Sequence, residues 1–276
     1  MMRPSVVPER KFRLPKDIPL EEYPRPEIYL EEARRLTDEA EKRGIVLRVM
    51  GPIALHFYFP DYVGLYRRME RLGERVFTDI DYAAYAKHRG KIVHLFEALD
   101  YELEKRSAVL SGGERHIFFG GRIPMIDVFY DRLNFNHPID YRGRLEVHPY
   151  CVSLADLLLQ KLQIVQINDK DLKDAMLLLL AASLAEADAE AINVRYVAKL
   201  LSDDWGFYHT ATTNLGKVKA AVGEVNALSA EQKASVIARA DGVLQIIEAE
   251  PKSGKWKRRA EVGAKKPWYT EVSDWD

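Results

Sequence analysis

Two aspartates separated by one residue, Asp79 and Asp81, stand in the stretch Phe77-Thr78-Asp79-Ile80-Asp81-Tyr82. On a strand, residues i and i+2 share a face, so the two carboxylates point one way while Ile80 and Tyr82 face a buried side. Two residues of rise set the acids roughly 6.6 Å apart. At an effective dielectric of about 20, full charges at that spacing repel by about 2.5 kcal/mol. A divalent cation is the simplest offset, and an exposed edge strand bearing two solvated acids is the plainer arrangement. A third acid, Asp127, interrupts the apolar run Pro124-Met125-Ile126-Asp127-Val128-Phe129. An acid there is expensive unless it is paired or liganded. Asp131, just beyond, fits a strand-end turn. Lys161 similarly interrupts an apolar helical run from Ala155 to Ile167.

These residues need elements to aim them. Ile45-Val46-Leu47-Arg48-Val49-Met50 is a short β-branched strand that runs into Gly51. Gly51-Pro52-Ile53-Ala54-Leu55-His56 then reads as a strand-to-helix turn, with Pro52 acceptable at the first helical position. Such turns aim N–H groups outward and can hold phosphate, although a lone glycine also serves plain turn geometry. A helix spanning residues 26–43 precedes the strand, with Ile28, Leu30, Ala33 and Leu36 as its apolar face and Gly44 as its stop. Arg67, Arg68, Arg71 and Arg75 lead into the Asp79 strand, either as a solvated helix face or as a phosphate- or RNA-facing group. A helix is expected over 86–99, with His94 and Leu95 near its apolar side. Leu110 to Arg115 reads as a hairpin connection, with His116–Phe119 and Pro124–Phe129 as flanking strands.

From Ser153 onward the pattern turns helical. Ser153-Leu154-Ala155-Asp156 resembles a capping box. A second helix over 170–184 begins Lys170-Asp171-Leu172-Lys173-Asp174, and the helix dipole alone accounts for acids in a first turn. Further helices are expected over 189–201, 204–226 and 230–248. The segment from Pro251 sets Lys252, Lys255, Lys257, Arg258 and Arg259 around Trp256, followed by Lys265 and Lys266. It fits nucleic-acid contact or a solvated tail packed by its tryptophans. Five prolines (Pro4, Pro8, Pro15, Pro19, Pro24) mark residues 1–26 as an arm draped over the body. The predicted organisation is an arm (1–26), an α/β domain (27–150), a helical domain (151–250) and a basic aromatic tail (251–276).

Composition narrows the class. With 276 residues, 47% of them hydrophobic, the chain can bury a sizeable core in one or two domains. A net charge of -1 provides no global attraction to nucleic acid. A single cysteine, Cys151, excludes an intrachain disulfide and fits a reducing compartment. The seven histidines lack zinc-ligand spacing, and His137-Pro138 and His148-Pro149 read as turns. No apolar run reaches the length of a membrane span or a signal peptide, so a soluble, cytoplasmic protein without a membrane partner is expected.

A strand ending in glycine, a helix, D-x-D on the next strand and a lone aspartate on a later one make up the pattern of the nucleotidyltransferase superfamily. Gly51, Asp79-Ile80-Asp81 and Asp127 match it here. The segment Leu154 to Gln163, followed by Lys170-Asp171-Leu172-Lys173-Asp174, resembles the K-L … K-D-x-x-D helical motif of the AbiEii-type branch, which includes toxins of toxin–antitoxin systems. The resemblance spans roughly residues 44–185.

The resemblance implies an α+β fold, a small mixed sheet of nucleotidyltransferase type with flanking helices, followed by a helical domain closing over the nucleotide. It implies an enzyme that moves a nucleoside monophosphate from an NTP to an acceptor hydroxyl. Asp79, Asp81 and Asp127 would ligate Mg²⁺ or Mn²⁺, with Asp127 helping to deprotonate the acceptor. Lys161 would contact phosphates, Asp171 and Asp174 would orient that lysine or the nucleotide, and Gly51 and Lys170 would line the nucleotide site. RNA or a tRNA end is the favoured acceptor, with a small molecule or protein side chain as alternatives and an antitoxin as a protein partner. A non-catalytic nucleotide-binding or toxin–antitoxin partner module is the rival reading. Two departures stand out. Pro52 replaces the usual Gly or Ser and lacks an N–H. The interval from Gly51 to Asp79 (79 − 51 = 28 positions) is long and suggests an insertion carrying the arginines.

Overall fold

The computed structural model describes residues 13–74 and 76–272, so Pro4, Pro8 and Arg75, singled out above, and residues 273–276 of the tail lie outside the described residues. Two 3₁₀ turns, Pro15–Asp17 and Leu20–Glu22, form the described part of the arm. Helix α1 (Pro26–Glu41) starts on its proline and buries Tyr29, Ala33, Leu36 and Ala40. Strand β1 (Leu47–Val49) leads directly into α2 (Gly51–Tyr58). Helix α3 (Val63–Arg68) and strand β2 (Arg71–Glu74) fill the interval before β3 (Ile80–Ala84). Then come α4 (Arg89–Glu97), β4 (Tyr101–Leu103), α5 (Lys105–Leu110), β5 (Arg115–Gly120) and β6 (Met125–Tyr130).

Five of these strands form one mixed sheet in the order β1-β3-β6-β5-β4. β3 and β6 are its parallel pair, and the other neighbours run antiparallel. Val128, Phe129 and Tyr130 are all buried, so β6 is covered on both faces, as a central parallel strand should be. A small hairpin, β7 (Arg132–Asn134) with β8 (Pro138–Asp140), ends the sheet-bearing half.

The second half is helical. It comprises α6 (Leu154–Leu162), α7 (Asp169–Ala181), a parallel pair β9 (Ser183–Ala185) and β10 (Ala191–Asn193), then α8 (Val194–Leu201), α9 (Trp205–Ala221), α10 (Ala230–Ala249) and α11 (Gly254–Val262). The fold is α+β, a small mixed sheet with flanking helices followed by a helical part. Side-chain caps set the helix starts. Ser153 accepts from Asp156 N, Asn168 from Asp171 N and Asp204 from Phe207 N, each satisfying an orphan donor. At the far end of α7, Arg239 Nη1 donates to the carbonyls of Leu179, Leu180 and Ala182 at 2.9, 2.6 and 2.6 Å. The halves are joined through β1, where Val49 N donates to Tyr150 O at 2.8 Å and Val152 N to Val49 O at 3.1 Å. No described helix is long and apolar enough to cross a membrane.

Several elements differ from their sequence reading. The turn at Leu110–Glu114 ends α5, whereas the β5–β6 hairpin closes through Gly121–Pro124. Helix α5 is six residues long, too short to show a helical period in the sequence. His94 points to solvent, 85% exposed at its side chain, and only Leu95 of that pair is buried. β3 begins at Ile80, so Asp79 lies just before the strand. Arg71 is on a strand and buried, not on a solvated helix face, because Asp174 neutralises it. His137 is packed, stacking on Phe207 and bonded to Thr210.

The C-terminal segment makes one testable contact. A Cβ at Gly206, inside α9, would lie 2.3 Å from the carbonyl oxygen of Trp268. In an open helix, Gly→Ala gains up to about 1 kcal/mol. Here Gly206→Ala is expected to destabilise by about 1–3 kcal/mol, as overpacking does. A lowered melting temperature with faster proteolysis after Gly263 is the expected result, read by thermal melts and limited digestion.

Candidate active site

The acids gather where β1 turns into α2 beside β3. Gly51 has φ +60°, and a Cβ on it would sit 3.1 Å from Asp81 Oδ2. Only glycine meets both demands without strain. Met50 N donates to Asp81 O at 2.8 Å, which locks the turn to β3. The N-terminus of α2, with its partial positive charge, therefore adjoins the Asp81 carboxylate. Asp81 pairs in register with Asp127 on the neighbouring parallel strand. Asp79 accepts from the Thr78 hydroxyl at 2.9 Å. Tyr23 and Tyr29 both donate to Thr78 O, at 3.3 and 3.4 Å, bringing the end of the arm alongside.

The three acids have different surroundings. Asp127 is 2% exposed, and the Arg115 guanidinium grips it, with Nε donating to Oδ1 at 2.9 Å and Oδ2 at 2.8 Å while Nη2 contacts Oδ2. The Arg115 side chain also lies 5.1 Å over the Phe129 ring, its cross-strand partner. Asp79 and Asp81 are half-buried. The Asp81 carboxylate accepts no hydrogen bond from any described residue. Burial, then the charges of Asp79 and Asp127, push its pKa well above the ordinary carboxylate range. Burial also raises Asp79, against the Thr78 hydroxyl and the positive charges of Lys170, Arg71 and Arg115. Asp127 is raised by burial too, with Arg115 opposing.

Behind this group lies a closed network of ion pairs. Lys161 Nζ sits 2.8 Å from Asp171 Oδ1 and 2.9 Å from Asp174 Oδ2. Arg71 clasps Asp174 through Nε at 2.7 Å and Nη2 at 3.0 Å, and Tyr66 Oη donates to Asp174 Oδ1 at 2.7 Å. Two cations meet two anions, so the network is neutral. Burial would raise the Asp174 pKa, but Lys161 and Arg71 overcome it and hold the group below its ordinary value. The ammonium of Lys161 is thus committed to its own helix pair and reaches Asp81 only through its field. Lys170 is exposed at the start of α7 and has no acid partner among the described residues.

The structure brings Gly51, Asp79, Asp81 and Asp127 together and sets Lys161, Asp171 and Asp174 in one cluster. Among the described residues, no group of three or more His, Cys, Asp or Glu is arranged to hold a metal ion. Asp79 and Asp81 nevertheless offer the carboxylate oxygens that a hard cation prefers, and the absence of a Cβ at Gly51 leaves Asp81 Oδ2 uncrowded on that side. Sequence reasoning missed Arg115, Tyr66 and the role of Arg71. The Arg115 contact had a signal in the hairpin register, which sets Arg115 two residues diagonal to Asp127. The Arg71 pair joins positions 103 residues apart and has no local signature.

These environments predict opposite pH and mutational effects. The Asp174 pKa is depressed, so its stabilisation is present above about pH 4 and is lost as pH falls through the folded value. Asp174→Asn is expected to cost about 3–5 kcal/mol at pH 7, with a smaller deficit at pH 3, read by urea unfolding at both values. The Asp81 pKa is raised, so its ionised form burdens the fold above about pH 4. Asp81→Asn is expected to raise the melting temperature at pH 7 in chelator. Adding Mg²⁺ should stabilise the wild type and leave Asp81→Asn unmoved.

Comparisons with known proteins provide little to set beside this geometry. No protein-family match is found, and no curated protein matches. Among solved structures, the solution structure of the antibiotic-resistance factor ANT(2'')-Ia aligns with 64% of this chain and 94% of its own, at 13% identity and a TM-score of 0.36.

Proposed function

We propose that this chain is a metal-dependent nucleotidyltransferase that moves a nucleoside monophosphate from an NTP to an acceptor hydroxyl. The observation that carries the reading is the Gly51–Asp81 contact. It joins a helix N-terminus to a half-buried carboxylate that has no hydrogen-bond partner among the described residues, on a strand in register with a third acid. Asp79 and Asp81 would hold Mg²⁺ or Mn²⁺, which when bound neutralises the charge of the triphosphate. In this reading residues 27–150 form the nucleotidyltransferase-like domain and residues 151–250 the helical domain.

The chain's own groups then divide the work. Lys170, exposed and unpaired among the described residues, meets the phosphates from the α7 side. The N-terminus of α2 adds its dipole at Gly51, though Pro52 withholds one N–H. Lys161, neutralised by Asp171 and Asp174, acts as a positioning residue that fixes α6 against α7. In the reaction the acceptor oxygen bonds to the α-phosphorus, the bond to the β-phosphate breaks, pyrophosphate leaves, and the hydroxyl proton passes to a carboxylate of the acidic group. RNA or a tRNA end is the acceptor favoured here. Lys257, Arg258, Lys265 and Lys266 are exposed with no acid partner among the described residues, and they suit a polyanion. An antitoxin partner follows from the AbiEii resemblance.

The test is transfer of label from each α-labelled NTP to total RNA with Mg²⁺. Labelled RNA is expected with one or more NTPs, lost in Asp79→Asn and Asp81→Asn. Lys170→Ala is expected to raise the KM for NTP about tenfold, the worth of one charge-assisted contact. Mg²⁺-dependent NTP binding without transfer to RNA, protein or small hydroxyl acceptors would favour the non-catalytic module, for which Pro52 is the structural argument.

A further inference from the structure

The acids of the site are three, and among the described residues one cation of the chain, Arg115, bonds directly to any of them; Lys170, exposed to solvent, acts on Asp79 only through its field. Arg115 bonds to both oxygens of Asp127 and is fixed in place by the hairpin register and the Phe129 ring. The other buried cations nearby are spoken for, since Arg71 and Lys161 are neutralised by Asp174 and Asp171. That leaves Asp79 and Asp81, two negative charges, both half-buried and open to an arriving ion, whereas Asp127 is shut in at 2% exposure. One divalent cation balances two carboxylates, and a second would have to displace a bidentate guanidinium from a buried partner. Arg–carboxylate forks of this kind are the strong, geometrically specific pairs.

Resting on the nucleotidyltransferase reading, we propose that Arg115 takes the place of a second metal ion at Asp127, so that the site loads one divalent cation, held by Asp79 and Asp81. Arg115 is a positioning residue in this arrangement. It gives Asp127 a permanent counter-charge and keeps it from serving as a metal ligand.

The test counts ions, not turnover. Mn²⁺ is titrated into the full chain without nucleotide, and free Mn²⁺ is read by its electron paramagnetic resonance signal. Wild type is expected to bind one Mn²⁺ per chain, and Asp81→Asn to weaken that binding at least tenfold. Asp127→Asn is expected to keep one ion, and Arg115→Gln to admit a second. Should Arg115→Gln fail to fold, Asp127→Asn decides alone. Two ions in wild type, or loss of the single ion in Asp127→Asn, overturns the assignment while leaving a metal-dependent enzyme in place. No Mn²⁺ bound to wild type overturns it together with the metal-dependent reading.

Discussion

The two halves of the chain meet at the buried pairing of Asp174. Its carboxylate receives Arg71 from β2, Tyr66 from α3 and Lys161 from α6, while it projects from α7 itself. Four elements, two from each half of the chain, are thereby drawn to one fully buried group. Such a cluster does not raise stability cheaply, because each ion must be stripped of water. Its strength lies in direction, since a half-made version leaves a naked charge in the interior. Any docking of the helical half that leaves the pairing incomplete is therefore penalised.

The acids at the sheet follow the opposite logic. Asp79 and Asp81 are held close together, partly dry, without enough counter-charge, and the fold bears that cost on its central strands. The surrounding elements make the cost tolerable. β3 is hydrogen-bonded on both edges, by β1 and β6, so the strand behind the carboxylates has little freedom to relax. Strain of this kind concentrates at sites that bind or react, where the missing charge arrives with a ligand.

Much of this was legible in the residues themselves. The spacing of Asp79 and Asp81, the acid in an apolar strand at Asp127 and the glycine at the end of β1 identified the parts that converge. Ser153 and Asp156 set the start of α6 as a local signal can. What was not legible is pairing at a distance. Arg71 lay among arginines that fitted either a solvated face or a phosphate- or RNA-facing group, and only tertiary contact with Asp174 decides its burial. Similarly, the acid at Asp127 announced a need for a partner without saying whether a metal or an arginine would meet it. The short helix α5 and the exposure of His94 depend on packing that no seven-residue window contains.

Arg239 extends this dependence beyond the site. One guanidinium nitrogen gathers three carbonyls at the end of α7, the opposite end from Lys170, Asp171 and Asp174. The helix is thus clamped at both ends, by ion pairs at its start and by a side chain of α10 at its finish. Loss of the Arg239 guanidinium would leave the carbonyls of Leu179, Leu180 and Ala182 without this donor, so the helix that carries Asp171 and Asp174 owes the finish of its last turn to a residue of α10.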